Sequence, residues 1–189
     1  MSFILEYIKH PRKIGAVAPS SRCLSRKMMK PIDFSSADVI VEYGPGTGSF
    51  TSELIAGRKP DTALILIEQN EHFCRQLEAK YGSMKNVHIV HGNAENVVTY
   101  LIQYGFDHAD YIVSGLPFTS LPKGVSDNIL TATNKALGSD GKFITFQYSL
   151  VKRRFFEQYF CITHYLRESR NLPPAYVLVM KNQGERYAR

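Results

Sequence analysis

The stretch V-I-V-E-Y-G-P-G-T-G at residues 39–48 joins a short apolar run to three glycines at alternate positions. The apolar run predicts a strand that is buried on both faces of a parallel sheet. Glycines 44, 46 and 48 allow a tight turn and let a ligand approach the backbone with no Cβ in the way. The helix predicted to follow offers free N–H groups to a polar or anionic ligand. This order of strand, glycine-rich turn and helix predicts a ligand-binding site at the end of the first strand.

The spacing of the glycines differs from that of the dinucleotide-binding pattern. In G-x-G-x-x-G the third glycine would stand at position 49, where this chain has Ser49. Glu42 lies two residues before the first glycine, where a carboxylate can accept a hydrogen bond from an ammonium group. NAD has no ammonium group and ligands built on methionine do, so the pattern favours a methionine-type ligand.

Strands and helices alternate on both sides of this turn. Strands are predicted at residues 38–43, 63–68, 87–91, 109–114 and 142–149, and helices at 48–58, 71–81, 94–104 and 123–137. Strict alternation predicts right-handed crossovers and a parallel sheet covered on both faces. Two further runs, 161–166 and 176–180, flank a proline-rich turn and predict an antiparallel hairpin at the edge of the sheet.

Length and composition limit the class of protein. The 189 residues suit one domain, and 44% hydrophobic with 21% charged residues exclude disordered, collagen-like and disulfide-scaffold chains. The longest uninterrupted apolar run, residues 63–67, is too short to span a membrane. Three cysteines without a C-x-x-C pair predict inert thiols in a reducing compartment and no metal site. We expect a cytoplasmic monomer, with a basic helical segment at residues 1–31 and the main domain at 32–189.

The net charge of +6 is distributed unevenly along the chain. Residues 1–30 carry +6, residues 31–150 carry −5 and residues 151–189 carry +5. Basic ends around an acidic middle predict an anionic partner, which is either an acidic membrane surface at the inner face of the membrane or RNA. We expect the two ends to form one docking face around Phe118, with rings at Phe155 and Phe156 beside the charges. The candidate contacts are Arg22, Arg26, Lys30, Lys152, Arg153 and Arg154.

Two candidate site residues stand where the second and third predicted strands end. Glu68 is placed to accept two hydrogen bonds from a ribose diol. Asn93 can bind an adenine edge or cap the next helix, and both interpretations stay open. In the predicted helix 71–81, the stripe of Phe73, Leu77 and Tyr81 indicates buried core rather than a cofactor site.

The fourth predicted strand ends in S-G-L-P-F, residues 114–118. A Leu116 carbonyl fixed by Pro117 can accept from an amine, and the ring of Phe118 favours a cation or a flat base. A tight turn between strand and helix is the alternative interpretation. Tyr148, at the end of the fifth predicted strand, is a candidate base, with a core position as its alternative.

Four motifs, E-Y-G-P-G-T-G at 42–48, E-Q-N at 68–70, G-N-A at 92–94 and G-L-P-F at 115–118, resemble those of class I S-adenosylmethionine-dependent methyltransferases over residues 38–182. The segments 14–21 and 113–118 resemble the bacterial phospholipid N-methyltransferases, and rRNA adenine N6-dimethyltransferases share much of the pattern. The resemblance implies a Rossmann-like α/β fold with a seven-stranded, mostly parallel sheet, an antiparallel last strand and helices on both faces. It also implies S-adenosylmethionine as cofactor, with its methionine part near Glu42, Gly44, Gly46 and Gly48, its ribose at Glu68 and its adenine at Asn93. Tyr43, Gln69, Ala94 and Ser114 complete the predicted cofactor-binding set.

Two positions depart from these families. Asn93 stands where they usually have Asp, and we expect Asn93→Asp to keep or improve cofactor affinity. Gly115 stands where adenine N6-methyltransferases place Asn or Asp, whose side chain accepts from the target amine.

A small aliphatic amine needs that acceptor less than a flat base does. We therefore predict an N-methyltransferase acting by in-line displacement on a phospholipid amine such as phosphatidylethanolamine, with rRNA adenine as the alternative acceptor. A protein that binds the cofactor without catalysis is a third hypothesis. Phe118→Ala is expected to lower turnover more than cofactor binding.

Overall fold

The computed structural model describes residues 22–183 apart from positions 119, 152 and 172. Its strands are β1 (Val39–Tyr43), β2 (Ala63–Glu68), β3 (Val87–His91), β4 (Ala109–Ser114), β5 (Leu137–Gln147), β6 (Phe160–Glu168) and β7 (Ala175–Asn182). Its helices are α1 (Arg22–Met29), α2 (Ser49–Gly57), α3 (Glu71–Tyr81), α4 (Val97–Gln103), α5 (Lys123–Ala136) and α6 (Arg153–Phe156). A 3-10 turn, Ala94–Asn96, precedes α4, so the predicted helix 94–104 is two elements.

The seven strands form one sheet in the order β3-β2-β1-β4-β5-β7-β6. Strands β1 to β5 pair in parallel, and β7 is antiparallel to both of its neighbours. Every residue of β1 and β2 is buried, as expected for central strands covered on both faces. The predicted seven-stranded Rossmann-like sheet and the terminal antiparallel hairpin are confirmed.

Side chains that alternate along the strands form two hydrophobic cores, one on each face of the sheet. Leu101 of α4, Ile129 of α5 and Phe156 of α6 belong to the first core. Leu24 of α1 and Leu54 of α2 belong to the second, together with α3. Because Leu24 is fully buried, this part of the predicted N-terminal segment belongs to the core of the domain.

The prediction that both basic ends share one docking face is wrong for the described residues. Helix α1, which carries Arg22 and Arg26, and helix α6, which carries Arg153 and Arg154, pack on opposite faces of the sheet. Lys30 follows α1 and is exposed, whereas Lys152 and residues 1–21, including the motif at 14–21, lie outside the described residues.

The aromatic part of the predicted C-terminal cluster is mostly core. Phe156 is fully buried, and Phe155 is half-buried against the same core. The prediction of two rings at an interface is therefore wrong for Phe156, because the first turn of α6 directs that ring into the domain. None of the helices in the described ranges has the length and hydropathy needed to cross a membrane.

Candidate active site

Four neighbouring strands, β3, β2, β1 and β4, end at the same edge of the sheet. Each pair of adjacent strand ends is joined by one backbone N–H···O=C hydrogen bond of 2.9 Å: Gly92 to Glu68, Gly44 to Ile67 and Gly115 to Tyr43. These bonds hold the loops that follow the strands in fixed positions around one cleft. A parallel sheet places ligands at this edge, where the strand order reverses.

The cleft is lined by eight residues that the sequence predicts and by five others. The predicted ones are Gly44, Gly46, Glu68, Gln69, Asn93, Ala94, Leu116 and Pro117. The others are Ile67, Phe73, Gly92, Gly115 and Ile129. A largely apolar lining with a few polar groups is typical of a small-molecule site.

The glycine-rich turn depends on backbone angles that only glycine adopts easily. Gly44 and Gly46 have φ angles of 62° and 54°, in the left-handed region. A Cβ on Gly44 would also lie 2.8 Å from Cδ2 of Leu116, whereas the space beside Gly46 is open. Gly48 also has a left-handed backbone, but its Cα faces Leu77 and Tyr81 of α3. It is the N-cap residue of α2 and does not line the cleft.

The carboxylate of Glu68 joins the glycine-rich turn to the end of β2. Its Oε2 accepts from the backbone N–H of Gly46 at 3.0 Å, and its Oε1 accepts from that of Asn70 at 2.8 Å. Burial raises the pKa of this carboxyl group. The carboxylate borders the cleft and keeps further lone pairs for a ligand.

Beneath the turn, Glu42 is fully buried. Its Oε2 accepts from the hydroxyl of Thr51 at 2.8 Å, and its Oε1 has no hydrogen-bond partner among the described residues. Burial, reinforced by the nearby charge of Glu68, raises the pKa of Glu42 to about 8. The Glu42 side chain is therefore largely protonated at neutral pH in the ligand-free protein, and its Oε1 is unused.

Comparison with known proteins identifies the family. The sequence model of the ribosomal RNA adenine dimethylases matches residues 21–155. The chain belongs to this family. It is a class I S-adenosylmethionine-dependent methyltransferase, which confirms the prediction from the four motifs.

Other relatives of this methyltransferase agree with that assignment. A protein of Singulisphaera acidiphila named ornithine lipid N-methyltransferase is 34% identical over 175 residues, which cover 92% of this chain and 91% of that protein. The N-methyltransferase NodS from Bradyrhizobium japonicum, solved with S-adenosyl-L-homocysteine, has a TM-score of 0.64 at 12% identity over 86% of this chain and 85% of its own. A TehB-like methyltransferase from Corynebacterium glutamicum has a TM-score of 0.62 at 13% identity over 95% and 97%. At such identities the two structures show the shared fold.

The residues of this methyltransferase fit its cofactor, S-adenosylmethionine. Glu42 lies under the turn rather than in the cleft wall and has an unpartnered Oε1; an ammonium group held there would favour the ionised carboxylate, which accepts its hydrogen bond. The Glu68 carboxylate and the Asn93 amide border the cleft where hydroxyl and amino donors would be held. At Gly46 a Cβ would fill space that is open in this structure.

Asn93 does not cap the following helical turn. It stands at the N-cap position of the 3-10 turn, but its side chain accepts no capping hydrogen bond. Instead its Nδ2 donates to Oε1 of Glu95 at 3.3 Å. The capping interpretation is therefore wrong, and the amide borders the cleft.

Like Glu42, the predicted cofactor-binding residues Tyr43 and Ser114 have side chains that do not border the cleft. The hydroxyl of Tyr43 lies 3.1 Å from that of Thr133 in the first core, where burial raises its pKa. Ser114 is buried, and its hydroxyl accepts from the backbone N–H of Leu116 at 3.1 Å. Both residues shape the strand ends, Tyr43 through its backbone carbonyl and Ser114 through the turn after β4.

The two aromatic residues predicted for catalysis also lie outside the cleft. The ring of Phe118 is 1% exposed and packs edge-on against Phe143 and Phe156, at centroid distances of 6.1 and 5.6 Å. Tyr148 packs against Phe146 at 5.5 Å beside the second core. The prediction that the Phe118 ring faces the cofactor cleft is wrong, because this aromatic cluster holds it in the first core.

The prediction of a buried stripe on α3 is wrong for Phe73. The buried positions of this helix are Cys74, Leu77 and Tyr81, whereas Phe73 is half-exposed and borders the cleft. Residues four apart drift by about 40° around a helix, so a stripe spaced only by fours leaves the buried face. No sequence pattern predicts that Ile129 lines the cleft, because the packing of α5, which is distant in sequence, brings it there.

Proposed function

We propose that this methyltransferase transfers a methyl group to the amine of a membrane lipid, with phosphatidylethanolamine as the first candidate. The observation that carries the proposal is the position of Gly115. A Cβ built on Gly115 would lie 3.1 Å from the backbone oxygen of Gly44, so the turn has little room for a side chain. The Asn or Asp that would hold a target adenine in register is therefore missing, and it could not be added without moving the turn.

A relative supports the same class of acceptor. The protein that is 34% identical over nearly the whole chain is named an ornithine lipid N-methyltransferase. Its name specifies methylation of a lipid at nitrogen. We therefore include ornithine lipid beside phosphatidylethanolamine among the acceptors to be tested.

A second cavity beside the acceptor turn is suited to the apolar part of a lipid. It is lined by Phe118, Leu121, Lys123, Ser126, Val151 and Phe155. Val151 is 88% exposed at its edge and, with Leu121 and Phe155, gives the cavity apolar side chains for an acyl chain to cover. In our proposal the acyl chain lies against this cavity while the headgroup amine reaches the cleft across the Leu116–Pro117 turn.

The chain's contribution to the reaction is mainly positioning and exclusion of water. When bound, S-adenosylmethionine supplies an electrophilic methyl group on a sulfonium leaving group. The carbonyl of Leu116 accepts from the N–H of Phe118 at 3.1 Å and retains a second lone pair for the incoming amine. Pro117 fixes the direction of that carbonyl. Because Tyr148 does not border the cleft, we propose no proton transfer through it.

Incubation with methyl-labelled cofactor tests the acceptor. The protein is offered vesicles of phosphatidylethanolamine, vesicles containing ornithine lipid, and total RNA, and the products are separated by class. We expect label in lipid and none in RNA. Label confined to RNA would refute the proposal. A Glu68→Ala variant, which loses the carboxylate at the cleft, measures the background.

Adenine in RNA is the second candidate acceptor. The observation in its favour is the match of the ribosomal RNA adenine dimethylase family over residues 21–155. Against it stands the close packing of Gly115, because members that methylate adenine are expected to use a side-chain acceptor at that position. The RNA arm of the same incubation decides between the two.

We also propose that the protein binds an anionic membrane surface through α6. Arg153 and Arg154 are exposed and follow Val151 closely in sequence, although Arg153 is paired with Glu157 at 2.7 Å. Reversal of both charges with Arg153→Glu and Arg154→Glu is expected to weaken binding to phosphatidylglycerol vesicles at least about tenfold.

The matched control reverses Arg22 and Arg26 on the opposite face of the sheet, where Arg26 lies 4.0 Å from Glu53. We expect this pair to contribute less to binding than the arginines of α6. A larger loss in the α1 variant would assign the membrane contact to α1.

A further inference from the structure

A chain of three polar side chains connects the cofactor cleft to helix α5. Asn93 donates from Nδ2 to Oε1 of Glu95 at 3.3 Å. Asn128 donates from its own Nδ2 to Oε2 of the same carboxylate at 2.9 Å. Asn93 borders the cleft, as does Ile129, the neighbour of Asn128 on α5. Each oxygen of Glu95 thus holds one amide group.

This arrangement determines which way the Asn93 amide faces. A carboxylate has only acceptor atoms, so Asn93 must turn its NH₂ group toward Glu95. The carbonyl oxygen lies on the other side of the planar amide and is left for a ligand in the cleft. An oxygen at this position can accept from the amino group of adenine, whereas it would repel the carbonyl oxygen of a 6-oxopurine.

We propose that Glu95 is a positioning residue that sets the base selectivity of the cofactor site by fixing the orientation of the Asn93 amide. The proposal rests on adenine lying against Asn93. It accounts for the amide at position 93, because an aspartate there would place two carboxylates about as close as the present contact of 3.3 Å. Asn128 anchors Glu95 to α5, so the loop after β3 and the helix hold the amide together.

Titration calorimetry with S-adenosylhomocysteine and S-inosylhomocysteine tests the proposal without requiring turnover. The wild type is expected to prefer the adenine compound. The Glu95→Gln variant keeps the shape of the side chain, but its amide can donate or accept a hydrogen bond. The Asn93 amide can then turn either its oxygen or its NH₂ group toward the cleft. We expect the preference for adenine to fall about tenfold, mainly through tighter binding of the inosine compound.

Two further variants make the result decisive. Asp61 is exposed, pairs with Lys85 and lies just before β2, at the end of that strand away from the cleft. Asp61→Asn also removes one negative charge and is expected to keep the wild-type preference for adenine. Asn93→Ala is expected to lose most of the preference. If Glu95→Gln keeps the preference while Asn93→Ala loses it, Glu95 does not orient the amide and the proposal is refuted. If Asn93→Ala also keeps it, adenine does not lie against Asn93 and the premise fails. Thermal unfolding of each variant, expected to match the wild type, shows whether the fold is preserved.

Discussion

Replacement of Glu42 by Gln is expected to remove a pH-dependent contribution to the stability of the ligand-free protein. Glu42 is fully buried with one unpartnered oxygen, and burial raises its pKa from the ordinary value of 4.5 to about 8. Between these two values the folded state holds a proton that the unfolded state has released. The free energy of unfolding therefore falls as the pH rises through this range, and above pH 8 the folded protein contains a buried, poorly solvated carboxylate.

The size of the effect follows from the two pKa values. A group that titrates at 4.5 when unfolded and at about 8 when folded loses about 2 to 3 kcal/mol of stability between about pH 6 and pH 9. Glutamine has nearly the same shape, can accept from Thr51 as Glu42 does, and does not titrate. The difference in unfolding free energy between Glu42→Gln and the wild type should therefore move by this amount in favour of the variant as the pH rises.

Urea denaturation of both proteins at about pH 6, 7.5 and 9 measures this difference. Other groups titrate in the same interval, but their contributions cancel when the variant is compared with the wild type at each pH. Glu78→Gln, an exposed change on α3, serves as the matched control and should show no such trend. A difference between Glu42→Gln and the wild type that stays constant from pH 6 to pH 9 would refute the assignment of a raised pKa to Glu42.

Three other substitutions test the cleft and its surroundings. Asn93→Asp should weaken binding of S-adenosylhomocysteine about tenfold in calorimetry, since the new carboxylate would face Glu95. This prediction reverses the expectation from sequence. Equal or tighter binding by the variant would contradict the prediction. Gly115→Ala should lower turnover with little change in melting temperature, because its Cβ would meet the Gly44 oxygen at 3.1 Å; unchanged turnover would show that the turn yields freely. Phe118→Ala should cost about 3 to 5 kcal/mol of unfolding free energy in urea, as expected for a buried ring. A selective loss of turnover at full stability would instead support direct contact of the ring with the substrate amine.

The order of elements in the fold could be predicted because local signals agree with the final packing. The bounds of β2, β3, β4 and α3 coincide with the predicted ones, since polar or turn-forming residues interrupt the apolar pattern at their ends. Strand β5 begins earlier than predicted, at Leu137, in a segment with two glycines that is typical of a turn. Pairing of Leu137 with Ala109 of β4, a long-range contact, recruits this segment into the sheet.

The cleft could be predicted only where a residue's position along the chain also determines its position in space. Glu68 ends β2 and Asn93 lies two residues beyond β3, and the end of a parallel strand fixes where these residues lie. The direction of the Phe118 ring depends on Phe143 and Phe156, which come from distant segments. Sequence proximity to the acceptor turn therefore indicated a role in the cleft that tertiary packing does not support.

The orientation of a polar group also depends on tertiary contacts that the sequence does not show. For function, this orientation matters more than the presence of the group. At Asn93 the sequence shows an amide in place of a carboxylate and suggests a weaker version of the same contact. Glu95, two residues further on, gives that amide a fixed direction through a bond that composition does not reveal. An amide held by a carboxylate distinguishes a donor from an acceptor on the ligand, as a lone carboxylate would. Asparagine at position 93, held by Glu95, is then a different way of obtaining the same selectivity for adenine. Asn93→Asp, which restores the residue usual in the family, is therefore expected to weaken cofactor binding.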